Sequence, residues 1–89
     1  MPDDDLRRLA LACVEAELER LRAAGPAEVA DLAARSPQDA PAQEGLTVTT
    51  HVEAEDQRLL VLVEAWRGRR TLATGGFAMT SDGRTSTPH

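Results

Sequence analysis

The segment Arg58–Trp66 limits what this chain can fold into more than any other segment, because it is apolar on both faces of a strand. Side chains of a strand alternate between its two faces with a period of two residues. One parity holds Leu60, Leu62, Glu64 and Trp66, and the other holds Leu59, Val61, Val63 and Ala65. Such a strand needs cover on two sides, whereas 89 residues supply little material for two layers. We therefore expect one cover from this chain and the second from sheet curling or from a partner.

Residues 3–35 have the pattern of two helices. Apolar side chains recur at helical spacing, at Leu6, Leu9, Ala10, Cys13, Val14, Leu18, Leu21 and Ala24. The aspartates at positions 3–5 suit the N-terminal end of this helix, where the helix dipole favours acidic side chains. Gly25 stops the first helix, and Pro26 suits the first position of a short second helix that ends before Ser36-Pro37.

Residues 36–45 contain two prolines and no apolar periodicity, so we predict a linker loop there. From residue 46 to residue 80 the period changes to two, which predicts a β-meander. In its first strand Leu46, Val48, Thr50 and Val52 alternate with Thr47, Thr49, His51 and Glu53. Arg67-Gly68-Arg69 is typical of a turn, and Gly75-Gly76 in the next strand predict a bulge or a bend.

Beyond residue 80, Ser81-Asp82-Gly83 is a turn signal, and the tail of residues 81–89 either adds a short edge strand at 84–87 or frays. We expect residues 1–89 to form one small domain. Its predicted fold class is α+β in two layers. A long N-terminal helix and a short second helix pack on a three-stranded or four-stranded antiparallel β-meander.

The charge of the chain is unevenly distributed and narrows the choice of partner. The formal net charge is −5, with ten acids against five arginines in residues 1–44 and five of each in residues 45–89. This balance disfavours non-specific binding of the whole chain to nucleic acid. All ten basic residues are arginine, which is typical of proteins encoded by GC-rich bacterial genomes.

The single cysteine, Cys13, excludes an intrachain disulfide and fits a reducing compartment. It lies on the apolar side of the first helix without an activating base nearby in sequence, so we interpret it as a packed thiol and not as a nucleophile. No apolar run approaches the roughly 18 residues of a membrane span, and the acidic N-terminus does not match a secretory signal. We expect a cytoplasmic protein with no membrane partner.

Two glutamates occupy positions that the patterns assign to apolar faces. Glu17 falls within the apolar stripe of the first helix, and Glu64 shares its strand parity with Leu62 and Trp66. A buried carboxylate needs a charge partner or hydrogen bonds, and Arg58 or Arg70 is a candidate partner for Glu17. If Glu17 and Glu64 faced each other, they would form a two-carboxylate site of the kind used in hydrolysis.

The alternation of His51, Glu53 and Glu55 places an imidazole and two carboxylates on one strand face, beside Asp56. These side chains are competent metal ligands. The same parity holds Thr47 and Thr49, which favours a solvated face, and no metal-binding spacing is present elsewhere. We therefore predict neither a metal site nor a cofactor.

The run Trp66-Arg67-Gly68-Arg69-Arg70 is the strongest candidate for a contact surface. Tryptophan and arginine are the residue types most often found at interface hot spots. In the alternative interpretation, Trp66 anchors the core and the three arginines keep the edge of the sheet soluble. An acidic helical half followed by this basic hairpin also indicates self-association.

Residues 69–79, Arg-Arg-Thr-Leu-Ala-Thr-Gly-Gly-Phe-Ala-Met, resemble the closing strand of hotdog-fold thioesterases, where a Leu-Ala-Thr-Gly-x-Phe-like run is frequent. The resemblance implies a minimal thioesterase-like fold. The chain departs from that pattern because no strand precedes the helix, the sheet is short and no active-site residues match. A helix on a curled meander is equally similar to the cystatin-like and NTF2-like cones, so we assign no family.

The leading hypothesis is a small non-enzymatic protein-binding or scaffolding module that uses an exposed sheet face or edge, with a homodimer expected. The alternative is a minimal hotdog-like or cone-fold hydrolase or ligand-binding protein with Glu17 in a pocket. A third class, nucleic-acid binding by the arginine hairpin, requires an affinity that falls steeply with salt. A closed pocket with Glu17 and Glu64 favours chemistry, whereas a flat apolar sheet face favours binding.

Overall fold

The computed structural model describes residues 3–80 and 84–86. Two helices, α1 (Asp3–Ala24) and α2 (Pro26–Ala33), precede the sheet. The strands are β1 (Gln38–Pro41), β2 (Thr47–Glu55), β3 (Arg58–Arg67), β4 (Arg70–Thr80) and β5 (Thr85–Ser86), and a 3-10 turn at Gln43–Gly45 joins β1 to β2. Among the described residues, no helix is both long enough and apolar enough to span a membrane.

The strands form one antiparallel sheet in the order β1-β2-β3-β4-β5, so each strand pairs with its neighbour in sequence. The strand that is apolar on both faces, β3, is central, and its Val61 lies opposite Val52 of β2 and Phe77 of β4. Both helices pack on one face of this sheet. The predicted two-layer α+β fold with a long and a short helix on an antiparallel sheet is confirmed.

The core lies between the helices and one parity of the central strands. It is aliphatic apart from Phe77, and consists of Leu6, Ala10, Val14, Leu18, Leu21, Val29, Leu46, Val48, Val52, Val61, Val63, Ala65, Phe77 and Met79. Full burial of one such large side chain contributes about 1.5–3 kcal/mol. The helices therefore cover the parity of β3 that contains Val61 and Val63, and the Trp66 parity points away from them.

The two glycines of β4 allow close approach and do not form the predicted bulge. A Cβ at Gly75 would lie 2.8 Å from Leu18 Cδ1 and 3.0 Å from Val14 Cγ1, so α1 packs directly on this position. A Cβ at Gly76 would lie 2.5 Å from the Val61 carbonyl oxygen of β3. The register shift of this strand pair lies instead at Ala65/Trp66, closer to the hairpin.

The segment predicted as a linker loop contains strand β1. Its four residues are all exposed, so no apolar pattern marks them in the sequence. The strand forms because it pairs with β2, where Asp39 lies opposite Thr49. Just before β1, the Ser36 hydroxyl accepts a hydrogen bond from the Val52 backbone N–H at 2.9 Å. Pro41 ends the strand and lacks the N–H that an exposed sheet edge would offer to another chain.

The C-terminal part of the sheet is only partly described. The Thr80 N–H donates to the Arg84 carbonyl oxygen at 2.9 Å, and Thr85 and Ser86 then pair with Met79 and Ala78. The short edge strand expected at residues 84–87 is present at two of these positions. The predicted turn at Ser81–Gly83 and the last three residues of the tail lie outside the described residues.

Candidate functional site

The sheet face opposite the helices is the candidate site, and we call it the open face. Within residues 3–80 and 84–86, no element packs over it. It consists of one parity of three strands: Thr47, Thr49, His51 and Glu53 of β2, Leu60, Leu62, Glu64 and Trp66 of β3, and Thr74, Gly76 and Ala78 of β4. Of the two apolar faces of β3, only one is thus covered by the helices.

Leu62 marks the centre of the open face. Its side chain is 42% exposed, although both of its neighbours in sequence, Val61 and Val63, are buried. Among the described residues, the other exposed large apolar side chain is Leu11 on the solvent side of α1, at 46%. Leu62 lies opposite His51 on β2 and opposite Gly76 on β4. The glycine leaves a gap in the surface beside an exposed leucine.

A shallow groove runs across the open face, with a volume of about 850 Å³. Its floor includes Leu60, Leu62, Thr74 and Gly76, and Ser36 lies at its margin beside β2. The groove is wide and open to solvent, unlike a closed pocket that would hold a small reactant away from water. Such a surface suits contact with a second protein surface.

Trp66 is held in place on the open face by two consecutive hydrogen bonds. Its indole Nε1–H donates to Thr49 Oγ1 at 2.7 Å, and the Thr49 hydroxyl donates to Asp39 Oδ1 at 2.6 Å. The indole reaches across β2 in this way, and Thr49 is buried although it lies on the open face. The two hydrogen bonds hold the indole ring in one orientation on the open face.

Glu64 lies beside His51, as its strand parity suggested. Its Oε2 is 3.8 Å from His51 Nε2, and both side chains are about one-third to two-fifths exposed. The carboxylate thus leans from β3 toward β2. It lies on the open face, two residues along β3 from Leu62.

The arginine hairpin forms the end of the sheet next to Trp66. Gly68 adopts a φ of 63°, which suits glycine in a tight turn, and Arg67 pairs with Arg70 across the turn. Arg67 Nη1 donates to the Glu44 carbonyl oxygen at 3.4 Å, and Arg69 and Arg70 are exposed. The structure therefore brings together Trp66 and the three arginines of the predicted contact surface at one end of the open face.

Glu17 lies on the other side of the sheet. Its carboxylate accepts hydrogen bonds from Arg20 one turn further along α1, not from Arg58 or Arg70. These bonds raise the pKa of the Arg20 guanidinium. Glu17 borders an open groove of about 540 Å³ between α1 and β1, which the half-buried Cys13 also lines. Glu17 and Glu64, both among the described residues, are on opposite faces and do not form a two-carboxylate site.

The acidic side chains of β2 do not assemble into a metal site with His51. Among the described residues, no three His, Cys, Asp or Glu side chains are placed to hold a metal ion. Glu55 is hydrogen-bonded to Arg58 across the β2–β3 turn at 3.2 Å, and Glu53 is exposed.

Sequence reasoning missed Thr49 and Asp39 as parts of the site. Asp39 is in a segment without periodicity, and Thr49 was assigned to a wet face. The Thr49–Asp39 and Trp66–Thr49 hydrogen bonds span 10 and 17 residues of sequence, and the first depends on the pairing of β1 with β2. Because no sequence pattern marks β1, no local signal identifies Asp39 as a neighbour of Thr49.

Comparison of the chain with protein-family models, with curated proteins and with solved structures finds no significant match.

Proposed function

We propose that this protein is a small non-enzymatic binding module whose open face docks against a protein surface, either a second copy of the chain or a different protein. The observation that carries the proposal is the exposure of Leu62 at the centre of a sheet face that no described element covers. Apolar surface left in water is unfavourable by about 25 cal/mol per Å², so covering this face is a source of binding free energy.

The composition of the open face supports a protein partner. Leu60 and Leu62 form an apolar centre with the fixed indole of Trp66 at one end, and Glu64, which lies between Leu62 and Trp66, is directed toward His51 of β2. An apolar centre with a polar rim is the usual arrangement of a protein interface, and tryptophan and arginine are frequent among its strongest contacts. Trp66 with Arg67, Arg69 and Arg70 would form one end of the contact.

Site-specific photo-crosslinking tests this proposal. A photoreactive p-benzoylphenylalanine replaces Leu62 in one variant and Leu11 in the other, and adducts formed in expressing cells are identified by mass spectrometry. We expect position 62 to give a discrete adduct with a protein, including the chain itself, and position 11 to give none. Equal labelling from both positions, or none from either, would contradict a binding role for the open face.

A further inference from the structure

We infer that the partner of the open face is a second copy of this chain, arranged with a two-fold axis parallel to β3, so that β2 of each subunit lies over β4 of the other. The inference rests on the proposed function, because it names the occupant of the same face. Three features of the open face are self-complementary under this operation: its apolar centre, the sizes of its side chains and its charges.

In this arrangement the apolar centre of one subunit would contact the apolar centre of the other. A two-fold axis that runs along β3 keeps each residue level with its own copy, so Leu60, Leu62 and Trp66 of one subunit would approach the same residues of the other. An axis across the strands would instead bring Leu60 over the partner's Glu64. The Glu64 carboxylate lies 3.8 Å from His51 Nε2 and thus leans toward β2, away from the proposed axis.

Side-chain sizes differ between the two strands that flank β3. The open face of β2 holds the larger His51 and Glu53, whereas that of β4 holds Thr74, Gly76 and Ala78. Because the axis exchanges the two sides, the large side chains of one β2 would lie over the small side chains of the partner's β4. Stacked sheets pack at about 10 Å and interdigitate in this way.

The charges are also divided between the two sides. Residues 38–56, which contain β1 and β2, hold five acids and no lysine or arginine, whereas residues 68–80, which contain β4, hold Arg69 and Arg70 and no acid. Arg84 continues the basic side next to Thr80. Because the axis keeps residues level, Glu53 and Glu55 of each subunit would lie over the end of the partner's sheet that holds Thr80 and Arg84, and the hairpin arginines would lie at the level of the partner's Glu44. Complementary charges of this kind select the partner and its orientation.

The face is large enough for a specific dimer. Three strands spaced about 4.8 Å apart and nine residues of about 3.3 Å each give roughly 15 by 30 Å, or about 450 Å² in projection. The accessible area of a corrugated surface exceeds its projection, and a standard interface buries about 800 Å² per partner. A dimer of modest but measurable affinity is expected.

Charge exchange between subunits tests the arrangement. The first variant carries Glu53→Arg and Glu55→Arg, which places arginines at the level of the partner's Arg84, and the second carries Arg84→Glu, which places a glutamate at the level of the partner's Glu53 and Glu55. We expect each variant alone to dimerise at least about tenfold more weakly than the wild type, because like charges then face each other. Mixing the two variants should restore a dimer, which native mass spectrometry identifies as one chain of each kind.

Glu15→Arg with Glu19→Arg on the exposed side of α1 is the matched control, since it changes the net charge as the first variant does without touching the open face. It should dimerise like the wild type. Wild-type association with no heterodimer on mixing would overturn the arrangement. If the wild type stays monomeric by light scattering, the inference that a second copy of the chain covers the open face is wrong. The proposed function then survives if position 62 crosslinks to a different protein, and fails if it crosslinks to none.

Discussion

The two faces of β3 are both largely apolar but have different surroundings. On one face Val61, Val63 and Ala65 are almost completely buried under α1, whereas on the other Leu62 is 42% exposed. The sequence of the strand alone does not account for this difference, because the helices supply a single layer of cover. An apolar residue in a small protein thus has two roles that depend on its parity: it stabilises the fold on one face and is available for binding on the other.

The largest expected effect comes from placing the same charge on each face. Val63→Asp buries an unpaired carboxylate in the core and should cost at least about 3 kcal/mol, enough to unfold a domain of marginal stability. Leu62→Asp should cost about 1 kcal/mol or less, because the side chain remains in water. Urea unfolding followed by circular dichroism measures both. Similar losses for the two variants would show that the open face is packed within the monomer.

The two glycines of β4 extend the comparison between the two faces of the sheet. Gly76, on the open face, has less room for a side chain than Gly75, on the helix side. Gly76→Ala brings a Cβ to 2.5 Å from the Val61 carbonyl oxygen, a backbone atom that cannot rotate away, and should cost about 1–3 kcal/mol. Gly75→Ala meets the side-chain ends of the buried Leu18 and Val14, which can shift slightly, and should cost less than Gly76→Ala, about 1 kcal/mol. Urea unfolding of both variants measures which substitution lowers the free energy of unfolding more. The reverse order would mean that the approach of α1, not strand pairing, limits this position.

The hydrogen bonds around Trp66 give a smaller effect that is confined to the open face. Thr49→Val keeps the side-chain shape but removes the link between the indole and Asp39, and should cost about 1–2 kcal/mol. Thr47→Val on the same face of β2 is the control and should change the unfolding free energy by less than about 0.5 kcal/mol. Equal effects at positions 47 and 49 would mean that the hydroxyl of Thr49 does not hold the ring.

The smallest effect is expected at Glu17. Its partner Arg20 is largely exposed, and exposed ion pairs contribute about 0–1 kcal/mol. Glu17→Gln should therefore change stability by less than about 0.5 kcal/mol and leave association unchanged. Glu19→Gln, on the exposed side of the same helix, is the comparison in urea unfolding. A loss above 1 kcal/mol, or a change in dimer affinity, would give Glu17 a role that its contacts do not indicate.

The elements with a regular period were predictable from the sequence. The helix spacing of Leu6 to Leu21 and the alternation from Val48 to Val52 depend on local pattern, so α1, α2 and the three long strands follow from it. Strand β1 was not predictable, because its residues are polar and exposed and only pairing with β2 defines it. The sequence predicts a bulge at Gly75 and Gly76. In the structure these two positions lack room for a side chain, because α1 packs closely on Gly75 and β3 lies close to Gly76.

The candidate site was predictable only in part. Tryptophan beside three arginines identified one end of it from residue types alone. The face that stays open could not be chosen in advance, since both parities of β3 are apolar and long-range packing by α1 decides between them. For the same reason the sequence could not place Glu17 and Glu64, which the fold separates by the thickness of the sheet.

The central claim is that association covers the open face, and Trp66 reports on it directly because it is the only tryptophan in the chain and lies on that face. The measurement is quenching of its fluorescence by acrylamide across a concentration series, with molar mass followed by light scattering in the same samples. We predict that quenching falls as the mass doubles, and that Leu62→Asp abolishes both changes. A mass that doubles with unchanged quenching would place the interface elsewhere and contradict the account.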